Sequence, residues 1–303
     1  MKTFITLLVI VLVGGGIYFF INQNKSATTV TPVDTQMQDD TQTGDAMQNS
    51  ASEQNAEIEI VIGKSVEGRD ITAYRFGNGD TEILFVGGIH GGYSWNTALV
   101  AYEMMDYLKA NPNIIPTNVR VTVVPVLNPD GLNKVVSTEG KFAKADVSTS
   151  QTVLVSGRFN ANNVDLNRNF DCDWQSVGVW QTTSVGGGSK AFSEPESMAI
   201  KNYVETHNPK AVVVWYSAAG GVFSSSCGGS ILPETSTITD IYAKASGYSS
   251  YKSFDFYPTT GDMVNWLAKK KIPAISVLLT NHTDTEWNKN NKGIDALLQH
   301  YAK

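Results

Sequence analysis

Four short apolar runs, each closed by glycine or polar residues, constrain this chain more than any other feature. Ile83–Val86 ends in Gly87-Gly88. Val119–Val126 ends in Asn128-Pro129-Asp130-Gly131, read as a turn. Ala211–Trp215 is followed by Tyr216-Ser217, and Ile275–Leu279 by Thr280. Short, mostly β-branched runs without alternation are strands buried on both faces. Segments of helical character lie among them: Thr97–Lys109 (with Leu99, Tyr102, Met105 and Leu108 in step), Ile238–Gly247, Met263–Lys270, and a helix to about His207 opened by Ser193 as N-cap with Glu196 at N3. Ile58, Ile60 and Ile62 alternate with polar residues, and Ile71–Phe76 makes a partner strand across a turn at Val66–Arg69. Strands alternating with helices predict one α/β domain over residues 57–303, a mixed, mostly parallel twisted sheet with helices on both faces. Ligands of such sheets sit at the carboxyl ends of the strands, where His90, Asn128, Tyr216 and Thr280 fall.

The first 56 residues are of another kind. Phe4–Ile21 is a nearly unbroken uncharged apolar run between Lys2 and Lys25, long enough for a membrane span. No small-x-small cleavage site follows it. It is therefore read as a signal anchor over residues 1–21, with a secreted product the alternative if it is cleaved. Residues 22–56 are polar and cannot bury enough surface to offset chain entropy, so they form a tether. The net charge of -6 without a basic patch argues against nucleic acid.

Within the domain, Gly157–Phe170 (GRFNANNVDLNRNF) stands out for two arginines, several Asn amides and one Asp with little apolar cover. Arginine presents a planar fork of donors suited to a carboxylate, and a neighbouring Asn adds a neutral donor.

Five pieces in this order, Gly87-Gly88-Ile89-His90-Gly91, Asn128-Pro129-Asp130-Gly131, Val164–Phe170, Phe192-Ser193-Glu194-Pro195-Glu196 and Tyr257-Pro258-Thr259-Thr260-Gly261-Asp262…Trp266, make the domain resemble the zinc carboxypeptidases of peptidase family M14. That resemblance implies a zinc ion held by two His and one Glu, a zinc-activated water, and a second Glu as base. His90 matches the first ligand. Tyr93 stands at the Glu ligand (a register slip gives Ser94), Tyr216 at the second His, and Leu278 at the base. The substrate-gripping positions match: Asn167 and Arg168 at the pair that holds a peptide's C-terminal carboxylate, Arg158 at the oxyanion arginine, Tyr257 at the closing aromatic, and Asp165 at the carboxylate that orients the first His.

With one ligand left and no base, the expectation is that zinc, although implied by the family, is not bound. The chain then reads as an extracytoplasmic pseudo-peptidase holding peptide C-termini, cell-wall stem peptides included. An active metallocarboxypeptidase with unorthodox ligands and a scaffold module are the alternatives. His282, with Asp262 or Asp165, is weighed as a substitute metal donor against a plain loop histidine. Ser217 with His90 is weighed as a dyad, but lacks a Gly-x-Ser-x-Gly elbow. His207 and His300 are read as helix-end and solvated residues. Cys172 and Cys227, the only cysteines, are expected to pair as a disulfide.

Overall fold

The computed structural model describes residues 57–303; the expected anchor and tether lie outside them. Among the described residues, no helix is long and apolar enough to cross a membrane. In chain order the elements are β1 (Ile58–Lys64), β2 (Asp70–Phe76), β3 (Thr81–Val86), α1 (Trp95–Ala110), β4 (Val119–Val124), α2 (Pro129–Val136), α3 (Gln151–Ser156), β5 (Val177–Trp180), β6 (Thr183–Gly186), α4 (Pro195–His207), β7 (Ala211–Ser217), β8 (Gly221–Ser224), α5 (Pro233–Ser246), β9 (Ser250–Tyr251), α6 (Met263–Lys269), β10 (Ala274–Leu279) and α7 (Trp287–His300).

Eight strands form one sheet in the order β1-β2-β4-β3-β7-β10-β8-β9, with β5 and β6 a separate hairpin. The centre of the sheet is parallel, β4 with β3, β3 with β7 and β7 with β10. Antiparallel pairs join β1 to β2, β2 to β4 and β8 to β10. The two-residue period of a strand divides the core. Ile83, Phe85, Val213, Trp215, Ile275 and Val277 face α1, α5 and α7. Leu84, Val86, Val212, Val214, Tyr216 and Leu278 face α4 and α6. The α/β expectation is thus met, with more antiparallel pairing than the apolar runs disclosed.

Two local readings are corrected. Asn128-Pro129-Asp130-Gly131 is no mere turn: Asn128 caps α2, its Oδ1 accepting from the Gly131 N–H at 2.9 Å, with proline in the first turn, where its missing N–H costs nothing. The N-cap of α4 is Glu194, not Ser193. The Ser193 hydroxyl instead donates to Glu194 and accepts from Asn169 Nδ2.

Candidate functional site

The cleft opens at the carboxyl ends of β3, β7 and β10. His90 sits in the loop after β3. Glycine fixes that loop: Gly91 has φ +42°, and a Cβ there would lie 2.6 Å from the Gly157 carbonyl oxygen. This close approach, with the Gly92 N–H donating to Gly157 O at 3.0 Å, seats His90 beside the segment that carries Arg158. Tyr216 and Leu278 are direct partners across the parallel β7–β10 pair, so the two positions expected to hold a ligand and the base are neighbours on one face.

Asp165 begins a short 3-10 turn over Leu166–Arg168 and accepts from the Asn167 N–H at 3.1 Å. That turn aims Asn167 and Arg168 into the cleft. A second close approach holds it there: Gly261 has φ +63°, and a Cβ would lie 2.2 Å from Arg168 O. Phe170 N–H donates to Gly261 O and Gly261 N–H to Cys172 O. Cys172 is disulfide-bonded to Cys227, Cα–Cα 5.9 Å, joining the arginine-bearing wall to the segment after β8. The cleft, about 140 Å³, is lined by His90, Arg158, Asn167, Arg168, Tyr257 and Leu278 among others. An aromatic groove of about 540 Å³ adjoins it and shares Ser217, Phe254, Tyr257 and Leu278.

The charges are arranged tightly. Arg158 Nε and Nη2 donate to Asp165 Oδ2 at 2.9 and 2.7 Å, and its guanidinium lies 4.4 Å from the Trp180 ring and 5.7 Å from the Tyr93 ring. Both members of the pair are almost wholly buried. Burial alone would raise the Asp165 carboxyl; Arg158, then His90, more than offset this and hold it far below the usual carboxylate range. His90 Nε2 is 3.4 Å from Asp165 Oδ1, within ion-pair reach but poorly aligned, so neither ring nitrogen makes a hydrogen bond. Burial first, and Arg158 second, push His90 down to about 4; it is neutral at pH 7. Arg168 donates to Val179 O from Nε and Nη2 and to Asn167 O from Nη1, which leaves it two N–H groups of its five. The Asn167 side chain uses three of its four hydrogen-bonding capacities: Nδ2 donates to Asp262 Oδ2 at 2.8 Å, while Oδ1 accepts from Tyr216 Oη at 3.2 Å and Met263 N–H at 3.1 Å.

A zinc ion needs three protein donors converging on one point. The residues around His90 do not supply them. Burial, then the neighbouring Asp262, raise the Tyr216 phenol well above its ordinary range, and its proton is given to Asn167. Tyr93 packs edge-on against Trp180 at 4.9 Å and lies 4.5 Å from the His282 ring, its phenol raised by burial. Leu278 has no donor atom. Among the described residues the one group of three His, Cys, Asp or Glu ligand atoms within reach of each other is Cys172, Asp173 and Cys227, whose sulfurs are bonded to one another. The donor set does not fit the metal.

The other sequence candidates fall as follows. His282 does face the groove. Asp262 caps α6, accepting from Asn265 N–H at 3.0 Å. Ser217 Oγ donates to Asn96 Oδ1, not to His90. His207 Nδ1 contacts Tyr203 O, and His300 pairs with Glu234. Sequence reasoning missed Trp180, on the β5–β6 hairpin beside the aromatic groove, and Ser226 and Ser276 in the cleft wall. Four-residue strands carry too little pattern to register; a Trp close to an arginine-rich stretch was the available signal.

A profile of the zinc carboxypeptidases, Peptidase M14, matches residues 44–295. The chain is 26% identical over 217 residues to a gamma-D-glutamyl-L-diamino acid endopeptidase 1 from Lysinibacillus sphaericus, covering 65% of this chain and 54% of that protein. It is 34% identical over 167 residues to rat carboxypeptidase Z, covering 48% of this chain but 24% of that protein. The fold is also similar to bovine thrombin-activatable fibrinolysis inhibitor, solved with a tick carboxypeptidase inhibitor, at TM-score 0.63 and 16% identity, covering 84% of this chain and 91% of that one. The chain thus spans about half or less of the length of these two curated relatives.

Proposed function

From the premise that this chain belongs to the zinc carboxypeptidase family, peptidase M14, we propose that it binds the free carboxylate of a peptide end in the cleft and does not hydrolyse the peptide. The observation that carries this reading is Arg158. It is buried, lines the cleft, and among the described residues its Nη1 makes no hydrogen bond. Two N–H groups of Arg168 are also unspent, and Tyr257, its ring 5.9 Å from the Arg168 guanidinium, stands at the rim. A carboxylate held by such forks gains charge-assisted hydrogen bonds away from water. What the family's reaction would need beside it, the second and third ligands and the base, is replaced by Tyr93, Tyr216 and Leu278. Loss of a general base alone typically costs roughly 10²–10⁴-fold in rate.

The similarity to a gamma-D-glutamyl-L-diamino acid endopeptidase supports an envelope peptide as the ligand. The Phe4–Ile21 run and the paired cysteines support a domain tethered outside the membrane.

Calorimetry of the full chain with N-acetyl dipeptides ending in carboxylate or carboxamide tests the reading. Heat is expected from the acids alone, weakened at least about tenfold by Arg168→Ala, given the strength of charged hydrogen bonds. Acids and amides that behave alike refute it. Stoichiometric zinc by elemental analysis, together with release of the terminal residue, would establish the active enzyme instead.

A further inference from the structure

A second cavity, about 180 Å³, lies away from the cleft and shares no lining residue with it. It opens between β2, α1, the start of α2 and the segment after β4. Tyr74 packs on the same core layer as Phe85 and Trp215, whereas Tyr216 and Leu278 belong to the other, so the sheet separates the two sites. Pro125, Pro129 and Leu132 supply apolar walls. An apolar cavity of about 150 Å³ accepts a benzene ring, so this one has room for a single ring and a short arm.

One buried polar group in it is unspent. Tyr102 is 7% exposed, and among the described residues its hydroxyl makes no hydrogen bond. Burial raises this phenol far above its ordinary range, so it is an intact O–H at pH 7. A buried tyrosine hydroxyl ordinarily finds a partner. One that lacks a partner and lines a cavity points to a ligand atom.

The surrounding charges select the ligand's sign. Arg69, at the cavity wall, is already committed: Nη1 donates to Asp130 Oδ1 at 2.8 Å and to Glu67, and Nη2 to Asn133 Oδ1 at 3.0 Å. Its Nε makes no hydrogen bond and stands 3.4 Å from Glu139 Oε1. Three carboxylates thus surround one guanidinium. Even with Lys134, which donates to Phe159 O and Asn160 O, counted beside it, negative charge is in excess. Asp70 at the rim is paired with Lys64. Burial, then Glu59 and Glu57, raise the Tyr74 phenol, which marks a negative potential on that wall. A carboxylate or phosphate would add to the excess. An ammonium relieves it and meets two tyrosine rings. We propose that this cavity is a binding site for a small organic ammonium ion, one amine on an apolar body of about one ring, whose N–H groups are accepted by the Tyr102 hydroxyl and the Glu139 carboxylate.

The test is calorimetric titration of the full chain with three probes of one shape: 2-phenylethylamine, 2-phenylethanol and 3-phenylpropionate. The amine is expected to bind at least about tenfold more tightly than the alcohol, the range of a hydrogen bond to a charged group, and the carboxylate not at all. Tyr102→Phe removes a hydroxyl that has no partner in the free protein, so Tm should be unchanged while the amine's affinity falls about tenfold. Glu139→Gln should weaken the amine about two- to fivefold, the range of an exposed ion pair, and leave the alcohol unchanged. An alcohol that binds as tightly as the amine, or a carboxylate that binds more tightly, overturns the ammonium assignment. Amine binding that survives both substitutions lies elsewhere on the protein and overturns the site, as does the absence of heat with the amine. None of these outcomes bears on the carboxylate reading of the cleft, which this inference does not use.

Discussion

Replacing Arg158 by Met removes one half of a buried ion pair and leaves the other half in place. Asp165 is wholly buried and loses both of its short bonds from Arg158. Stranding a buried charge in this way typically costs about 3–5 kcal/mol. The local geometry adds a pH signature. His90 titrates at about 4 in the folded protein against about 6.5 when unfolded. Its depressed value means that the native protein has its full His90 contribution above pH ~6.5 and loses it as pH falls toward 4, about 3 kcal/mol at ~1.4 kcal/mol per pH unit. Arg158 is one cause of that depression. In Arg158→Met the repulsion is gone, and an unpaired Asp165 carboxylate stands 3.4 Å from His90 Nε2. His90 should then take a proton at higher pH and replace the lost cation, while Asp165, now raised by burial, can itself protonate. Urea unfolding of the full chain should show a deficit of about 4 kcal/mol near pH 7.5 that shrinks to about 2 kcal/mol near pH 5. A deficit that is the same at both pH values would refute the coupling of these three side chains, and one below about 1 kcal/mol would refute the buried pair itself.

Other expectations can be checked in parallel. Removing the disulfide with Cys172→Ala/Cys227→Ala opens a loop of sequence separation 55, worth about 4 kcal/mol by loop entropy; differential scanning calorimetry should show Tm lower by roughly 8–16 °C for a domain of this size, and reductant should lower the native Tm by a similar amount. Gly261→Ala places a Cβ against Arg168 O at a left-handed φ, and should cost several kcal/mol, at least about 2, read by circular dichroism melting. Restoring donors with Tyr93→Glu/Tyr216→His should give a His-Glu-His set around His90 and about one zinc per chain by elemental analysis, against far less in the native protein; failure to gain zinc would mean that these positions do not converge.

Much of the fold was legible because the central strands are buried on both faces and therefore read as unbroken apolar runs: Ile83–Val86, Ala211–Trp215 and Ile275–Leu279 all became strands. The Gly87–Gly91, Asn128–Gly131 and Gly261 motifs were legible for a steric reason, since each marks a cap or a backbone contact that other residues cannot make. What stayed hidden was set by contacts remote in sequence. Asn167 looks like a free donor beside Arg168, but Asp262, 95 positions away, takes one of its two amide N–H groups, and Tyr216, 49 positions away, donates to its oxygen. Asp262 looks like one more polar residue before a helix until its burial and its bond from the Asn167 amide are seen. The last two strands of the sheet, β8 and the edge strand β9, four and two residues long, have too little length for any periodicity to develop.

The cleft draws its lining from several widely spaced stretches, from His90 to Leu278, and fastens them through the Gly91–Gly157 contact and the Gly261 ladder. No fragment of the domain contains it. Loops that long must close before any of these contacts can be rewarded, so the cleft depends on contacts remote in sequence. A fragment that lacks any one of these stretches lacks part of the cleft's lining.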